Sequence, residues 1–227
     1  MIEHNQGLVE EDMMKKYDEE FKSGSDKKYP SIELVRLEQW FFDSCPGTVI
    51  EYGFGSGVNT KFLLEKNYRV YGIDASKEAK KAALKKLKSF RSSDFELDIL
   101  NINSKSLPYE NEKFDYAVIM SVISLLGSIN RIKMLLSEIN RVLKKNGKLI
   151  IDVNSSKSLF TNQTQKVSEH IFQRKDKERK LQFYCPEHID HFIDLINNFF
   201  TIKDVGRMLS HIMGRRTEEF ILCAQKK

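Results

Sequence analysis

A carboxylate followed by three alternating glycines is the part of this 227-residue chain best suited to chemistry. Glu51 ends an apolar run, and Gly53, Gly55 and Gly57 follow it directly, before a segment whose pattern predicts a helix. Glycines so placed let the backbone turn sharply and let a ligand approach where a Cβ would collide. A helix that begins there points free N–H groups at the same space. The segment therefore predicts a small-molecule site, with an acid suited to a ligand that carries an ammonium group.

The spacing of these glycines excludes the common dinucleotide fingerprint. That fingerprint, G-x-G-x-x-G/A, needs a small residue at its last position so that the helix can pack closely on the strand. This position is Val58 when counted from Gly53, and Thr60 when counted from Gly55. Glu51 is also out of place in the usual dinucleotide pattern, so the sequence favours a different ligand.

Two later strands of the predicted sheet also end in carboxylates. Asp74 ends the strand near 69–74, 21 residues after Gly53, where Rossmann-like folds hold the two ribose hydroxyls of a nucleotide. A helix cap is the alternative for Asp74, although Ser76 is better placed for that role. Asp98 ends a short alternating strand, and a surface aspartate in a loop is its alternative.

The order of these motifs resembles that of the class I S-adenosylmethionine-dependent methyltransferases. Their first motif is typically an acid, any residue, then G-x-G-x-G, and residues 51–57 match it with Glu in place of the more usual Asp and with Phe54 where Cys is frequent. Residues 106–109, 113–121 and 138–151 resemble the later motifs of the family. The resemblance covers residues 29–153 well and the rest of the chain in outline.

The resemblance implies S-adenosylmethionine as the cofactor and assigns residues to its parts. It places Asp98 on the adenine amino group, Ile99 against the ring, and Met120 on the adenosine. Arg36 would pair with the methionine carboxylate through two parallel hydrogen bonds, and a solvated helix arginine is the alternative. The cofactor-binding residues expected are Arg36, Glu51, Gly53, Gly55, Gly57, Asn59, Thr60, Asp74, Ala75, Asp98, Ile99 and Met120.

Candidates for the substrate side are fewer, and no general base is evident. Tyr17 and Tyr29 could shape a lid over the methyl group, and buried aromatics that only pack are the alternative. Ser124 lies where methyltransferases of nucleic-acid amines carry an Asn/Asp-Pro-Pro-aromatic motif, which is absent from residues 121–124. His170 falls in the segment that family members use to cover the substrate.

Two other patterns receive ordinary explanations. Cys185, His188 and His191 are spaced three apart, but they lack a fourth partner, so we expect no metal site. Pro186 suggests a helix from Pro186 to Asn198, with Cys185 as a weak cap. The Lys-rich helix near 76–90 is expected to be a solvated face, because no aromatic residues interleave with its basic residues as in a nucleic-acid stacking surface.

Alternating strands and helices predict an α/β fold: a Rossmann-like three-layer sandwich whose seven-stranded sheet is mostly parallel, with an antiparallel last strand. We expect one domain (1–227), made of a helical N-terminal lid (1–45), a cofactor-binding core (46–153) and a substrate-side and C-terminal part (154–227). The predicted helices lie near 9–22, 31–43, 57–66, 76–90, 128–145 and 186–198. The predicted strands lie near 48–52, 69–74, 94–98, 114–120, 147–153, 199–205 and 219–225. Residues 154–168 are predicted to be a polar loop, followed by a mixed-charge segment at 169–183.

Composition is that of an ordinary globular protein, with 41% hydrophobic and 30% charged residues and a net charge of +5. Three widely spaced cysteines suggest a reducing compartment. We expect a cytoplasmic protein, because the N-terminus is unlike a signal peptide and no apolar run approaches the ~20 residues of a membrane span.

The sequence therefore predicts methyl transfer from S-adenosylmethionine to a small-molecule acceptor. A methyltransferase of RNA or protein is one alternative, although nucleic acid is not the expected partner. A non-catalytic S-adenosylmethionine-binding regulatory protein is another. The acceptor and the oligomeric state are not predicted.

Overall fold

A seven-stranded sheet with helices on both faces organises the chain. The computed structural model describes residues 2–24, 26–43, 45–101, 104 and 106–227. The helices are α1 (Ile2–Lys22), α2 (Ile32–Phe41), α3 (Val58–Glu65), α4 (Lys77–Lys86), α5 (Ile129–Val142) and α6 (Ile189–Asn197). The strands are β1 (Thr48–Tyr52), β2 (Arg69–Asp74), β3 (Phe95–Ile99), β4 (Phe114–Ile119), β5 (Leu143–Asn154), β6 (Gln165–Ser168), β7 (Ile171–Asp176), β8 (Arg179–Tyr184), β9 (Phe200–Ile212) and β10 (Arg215–Lys226). Short 3₁₀ helices occupy Ile123–Leu126 and Leu159–Thr161.

The order of strands in the large sheet is β3-β2-β1-β4-β5-β10-β9. The first five strands in this order pair in parallel, whereas β10 is antiparallel to both of its neighbours. The predicted fold class is therefore confirmed, including the antiparallel last strand.

Apolar side chains on both faces of the sheet explain why it is covered on both sides. Helices α5 and α6 cover one face with residues such as Ile132 and Phe192, which are fully buried. Helices α2, α3 and α4 cover the other face with residues such as Leu34, Leu63 and Ala83. Strands buried on both faces read as continuous apolar runs, which is how residues 48–50 and 116–119 read.

Parallel strands bring the carboxyl ends of β1, β2, β3, β4 and β5 to one edge of the sheet. The register places Glu51 beside Gly72 and Ile73 beside Asp98. Ligands of open α/β sheets bind in the crevice outside this edge, so the topology gathers the predicted carboxylates where a ligand would lie.

A second, three-stranded sheet was not predicted from the sequence. Strands β6, β7 and β8 form it in that order, within residues expected to be a polar loop and a mixed-charge segment. The hairpin between β7 and β8 turns at Lys177, whose φ is 57°. These strands bury only part of their side chains, so their apolar alternation is weak and basic residues interrupt it.

Several element boundaries also differ from the prediction. Helix α5 ends at Val142, and Leu143 already pairs with Phe114 in the sheet. Helix α6 begins at Ile189, with His188 rather than Cys185 before its first turn. Strands β9 and β10 are longer than expected, because a two-residue turn at 213–214 joins them in a long hairpin. Both turn residues have positive φ, which suits the right-handed twist of paired strands.

The described helices offer no candidate for a membrane crossing, because none of them combines the required length with enough apolar character.

Candidate functional site

The glycine loop connects β1 to α3 and is shaped by close packing. The N–H of Gly53 donates to the carbonyl of Ile73 at 2.7 Å, which ties the loop to β2. Gly53 has a φ of 82°, and a Cβ there would lie 2.3 Å from Cγ2 of Val122. A Cβ on Gly57 would lie 2.9 Å from that of Ala83. Of the three glycines, Gly55 is the most open, since a Cβ there would meet nothing closer than Phe21 at 3.7 Å. The protein itself therefore fills the space above two of these glycines.

Glu51 lies beneath this loop and is almost fully buried, with 1% of its surface exposed. Its Oε2 accepts a hydrogen bond from the hydroxyl of Thr60 at 2.5 Å. Its Oε1 is buried without a hydrogen-bond partner among the described residues. Burial raises the pKa of Glu51 to about 7, and the Asp74 carboxylate adds to this rise, while Thr60, Asn59 and Lys27 oppose it. A buried carboxylate with a free oxygen is suited to an ammonium donor.

Cofactor affinity is expected to rise with pH because Glu51 must ionise to bind an ammonium group. Its pKa is about 7 in the free protein. If binding holds the carboxylate ionised, affinity increases by about 20- to 30-fold between about pH 5.5 and 7.5, below the range where an α-amino group loses its proton. Calorimetry with S-adenosylmethionine across this range measures the effect.

Glu51→Gln is the matched variant for this measurement. It should bind the cofactor more weakly at pH 7.5 and show a flat pH dependence, because the amide does not titrate. The free wild-type protein should also lose stability between about pH 4.5 and 7, since the folded state binds more protons than the unfolded state in that window. A pH dependence that survives in Glu51→Gln contradicts the assignment.

Asp74, at the end of β2, binds the glycine loop through its carboxylate. Its Oδ2 accepts a hydrogen bond from the N–H of Gly55 at 2.8 Å, and its Oδ1 accepts one from the N–H of Ser76 at 2.9 Å. Burial raises the pKa of Asp74, the two backbone N–H groups oppose this rise, and the Asp18 carboxylate adds to it. The hydroxyl of Ser76 accepts from the N–H of Ala79 at 3.0 Å, so the predicted cap of α4 is confirmed. Asp74 thus holds the glycine loop in place and leaves lone pairs for a ligand.

Helix α1 lies across the glycine loop and joins the site. Phe21 approaches Gly55, and Asp18 accepts a hydrogen bond from the hydroxyl of Ser76. Tyr17 packs with residues of β8, and the pKa of its hydroxyl is raised by burial and by the Glu20 and Asp74 carboxylates. The predicted N-terminal cover therefore reaches the same edge of the sheet as the glycine loop.

The remaining cofactor candidates occupy varied positions. The side-chain oxygen of Asn59 accepts from the N–H of Ser31 at 2.9 Å, which fixes the segment before α2. Asp98 accepts from the hydroxyl of Tyr109 at 3.4 Å. Arg36 is exposed on α2, and no described residue accepts a hydrogen bond from it. Ala75 and Ile99 are half-buried, and Met120 is buried. The expected role of each toward the cofactor stays a prediction.

The substrate-side candidates do not form one group. Tyr29 is 80% exposed. Ser124 is buried, and its hydroxyl accepts from the N–H of Asn154 at 3.0 Å, which ties the 3₁₀ helix to the end of β5. His170 is buried in the turn before β7, where its carbonyl accepts from the N–H of Cys185 at 2.8 Å.

The histidines form a cluster different from the one considered in the sequence. The ring of His170 lies 3.9 Å from that of His191, at an interplanar angle of 39°. One possible ligand atom from each of Glu169, His170 and His191 lies within 4.8 Å of the others. The two rings are tilted relative to each other, and burial and the His191 side chain lower the pKa of His170. We assign this cluster no part in the site at the sheet edge.

The structure adds a group of carboxylates that the sequence reasoning did not identify. Asp152 near the end of β5 is 2% exposed, and its Oδ1 accepts from the N–H of Ser121 at 2.6 Å. Glu219 on β10 and Glu33 on α2 are close enough to raise its pKa. We call Glu33, Asp152 and Glu219 the acidic cluster. Asp152 ends an apolar run as Glu51 does, so the same signal could have found it.

These residues suit an adenosyl sulfonium compound. The free Oε1 of Glu51 is a site for the ammonium group of its methionine part. An added Cβ on Gly55 would meet nothing closer than Phe21 at 3.7 Å, and Asp74 keeps acceptor capacity for ribose hydroxyls. The donor set therefore fits the cofactor that the motif order implies.

Comparison with known proteins finds a family match and a relative. Residues 50–151 match the family model described as a methyltransferase domain. Over 200 residues the chain is 26% identical to the uncharacterized protein MJ1123 of Methanocaldococcus jannaschii, with 87% of this chain and 78% of that protein covered.

Two solved structures show the same fold. An S-adenosylmethionine-dependent methyltransferase from Methanosarcina mazei matches with a TM-score of 0.69 at 19% identity, over 87% of this chain and 98% of that chain. The 1,6-didemethyltoxoflavin-N1-methyltransferase of Burkholderia thailandensis, with 1,6-didemethyltoxoflavin and S-adenosylhomocysteine bound, matches with a TM-score of 0.71 at 16% identity, over 99% of this chain and 90% of that chain. The family match falls on the segment that carries the glycine loop and the strand ends. Residues 50–151 therefore match a methyltransferase domain, and the chain has the fold of the S-adenosylmethionine-dependent methyltransferases.

Proposed function

We propose that this methyltransferase acts on a small-molecule acceptor bound beneath its own N-terminal segment and second sheet. The observation that carries the proposal is that helix α1 covers the carboxyl ends of the strands. Helix α1 contacts both the glycine loop and β8. The same helix therefore covers the predicted cofactor site and connects it to the sheet of β6, β7 and β8. A covered site of this kind suits a small acceptor better than a segment of a folded macromolecule.

The segment between α1 and α2 contributes to the same cover. Lys27 extends its ammonium to the hydroxyl of Ser121 at 3.4 Å, at the end of β4. Ser31 is held by Asn59 at the other end of this segment. Small-molecule recognition by the related fold in the Burkholderia enzyme supports the proposal.

The residues on the sheet edge have separable tasks in methyl transfer. S-adenosylmethionine supplies an electrophilic methyl group on a positively charged sulfur. Glu51 would bind the ammonium group, Asp74 would hold the ribose, and the glycine loop would accommodate the chain between them. Positioning two reactants in good geometry is worth up to about 7–11 kcal/mol of the barrier, so burial under α1 serves the reaction by fixing the reactants and excluding water.

Methyl-labelled S-adenosylmethionine tests the proposal directly. The protein is incubated with cell extract that ultrafiltration has separated into small-molecule and macromolecule fractions. We expect label only in the small-molecule fraction. Label in RNA or protein instead overturns the proposal, and binding of RNA that weakens steeply with salt would accompany that result. Cofactor binding without label in either fraction would indicate a regulatory binding protein.

We include a cytosolic location in the proposal. Cys45, Cys185 and Cys223 are all free thiols, which suits a reducing compartment.

A further inference from the structure

The acidic cluster lies beyond the predicted cofactor residues, where Asp152 and Glu219 share the edge of the sheet at which β5 ends. Asn154 is paired with Glu219 between β5 and β10, so Asp152 and Glu219 are diagonal neighbours on one face of the sheet. The Lys27 ammonium lowers the pKa of Glu51, Asp152 and Glu219 alike. All three carboxylates therefore lie within electrostatic range of one cation.

The single charge of Lys27 cannot neutralise three carboxylates. Glu51 and Asp152 are nearly fully buried, and Oε1 of Glu51 has no hydrogen-bond partner among the described residues. The one hydrogen bond that a described residue gives Asp152 comes from the N–H of Ser121, to Oδ1. Lys27 is an exposed residue that reaches in from the loop before α2. Buried carboxylates are costly unless cations or donors satisfy them.

The ammonium group of the cofactor would supply the cation that the buried carboxylate of Glu51 requires. It does not account for the acidic cluster, which lies on the far side of β4, along β5 and β10. We propose that the methyl acceptor is an amine that binds as an ammonium ion to Asp152 and Glu219; this inference rests on the proposed function. Asp152 accepts the proton that the amine nitrogen must lose before methylation.

The proton transfer completes a balanced reaction. A protonated amine has no lone pair, so its N–H proton first passes to the free oxygen of Asp152, giving a neutral amine and a carboxylic acid. The nitrogen lone pair then forms a bond to the methyl carbon. The carbon–sulfur bond breaks, and its electron pair stays on sulfur as S-adenosylhomocysteine is formed. The product leaves as a methylated ammonium ion, and Asp152 returns its proton to water.

The surroundings of Asp152 suit this role. Burial raises its pKa to about 8, and the Glu219 and Glu33 carboxylates act in the same direction. The hydrogen bond from Ser121 and the charge of Lys27 oppose the rise. A base is most effective when its pKa lies near the working pH. The Ser121 N–H also fixes Oδ1, which leaves Oδ2 for the substrate.

Matched acceptors on the full chain test the proposal. Benzylamine, benzyl alcohol and benzoate form one set, and cyclohexylamine, cyclohexanol and cyclohexanecarboxylate form another. Binding to the protein saturated with S-adenosylhomocysteine is measured by calorimetry, and turnover is measured as S-adenosylhomocysteine formed. We expect at least one amine to bind about tenfold or more tightly than its matched alcohol and acid, as a charge-assisted hydrogen bond implies.

Asp152→Asn, Glu219→Gln and Glu218→Gln separate the roles. Asp152→Asn should lower turnover of the best amine by about 100-fold and move the half-maximal pH upward, toward the pKa of the free amine. Glu219→Gln should mainly raise KM. Glu218→Gln is the control, because Glu218 is also a buried carboxylate on β10 but forms ion pairs with Arg207 and Arg216, each at 2.7 Å. The Glu218→Gln variant should prefer amines as strongly as the wild-type protein does.

The outcomes distinguish this proposal from the proposed function. Amines that bind no better than their alcohols overturn it, as does an unchanged pH profile in Asp152→Asn. Methylation of alcohols or acids in preference to amines also overturns it, but leaves small-molecule methyl transfer standing. Labelling of RNA or protein removes the proposed function itself.

Discussion

Gly53→Ala is expected to destabilise the protein by about 2–5 kcal/mol and to weaken cofactor binding strongly. An alanine at the φ of 82° found there costs about 1–2 kcal/mol. Its Cβ would also lie 2.3 Å from Cγ2 of Val122, and overpacking of this kind costs about 1–3 kcal/mol. Relief of the clash would move the loop away from Ile73, which now accepts the Gly53 N–H. Urea denaturation measures the stability, and calorimetry with S-adenosylhomocysteine measures the binding.

Two variants separate the clash from the backbone cost. Gly55→Ala is the control, because Gly55 also has positive φ but no atom lies closer than 3.7 Å to the added Cβ; it should cost only about 1–2 kcal/mol. Val122→Ala in the Gly53→Ala background should recover stability relative to Val122→Ala alone. If Gly53→Ala and Gly55→Ala are equally destabilising, the contact with Val122 is not the cause.

This contrast changes the meaning of the glycine motif. From the sequence, all three glycines are explained by close approach of a ligand. In the structure, Val122 and Ala83 occupy the space next to Gly53 and Gly57, so these two glycines serve packing within the protein. A sequence motif reports that a Cβ is excluded, but it does not report which atom excludes it.

The sheet could be predicted because its strands are short apolar runs that end in acids. Glu51 and Asp74 each end such a run, Asp98 ends an alternating strand, and parallel pairing brings them to one edge. Asp152 carries the same signal. Its diagonal neighbour Glu219 could not be found this way, because only the register of β10 on β5 places it near Asp152.

The cover over the site could be predicted only in part. The amphipathic pattern of α1 indicates a helix, but its contacts with the glycine loop depend on tertiary packing. Strand β6 is exposed throughout, and β7 and β8 are only partly buried, so their sequence resembles a charged loop. Half-buried strands at the periphery satisfy their hydrogen bonds through each other, and single-sequence periodicity detects such pairing poorly.

Asp74→Ala is expected to lower affinity for S-adenosylhomocysteine by about 10- to 150-fold, the loss of roughly 1.5–3 kcal/mol from charge-assisted hydrogen bonds. Asp74 acts in two ways. It accepts from the N–H groups of Gly55 and Ser76 at 2.8 and 2.9 Å, and it is predicted to hold the ribose. Stability should fall as well, by about 1–3 kcal/mol, because two backbone donors lose their partner. Calorimetry and urea denaturation on the same preparation measure both effects.

A ligand without the ribose hydroxyls separates these two roles of Asp74. Wild type should bind S-adenosylhomocysteine at least tenfold more tightly than its deoxyribose analogue, whereas Asp74→Ala should bind the two ligands about equally, since the coupled contact is gone. Ser76→Ala is the control: it removes the α4 cap that accepts from Ala79 and should cost about 1 kcal/mol of stability, yet keep the discrimination between ligands. If Asp74→Ala weakens both ligands by the same factor, Asp74 acts only by holding the glycine loop, and the ribose must be bound by another residue of the edge.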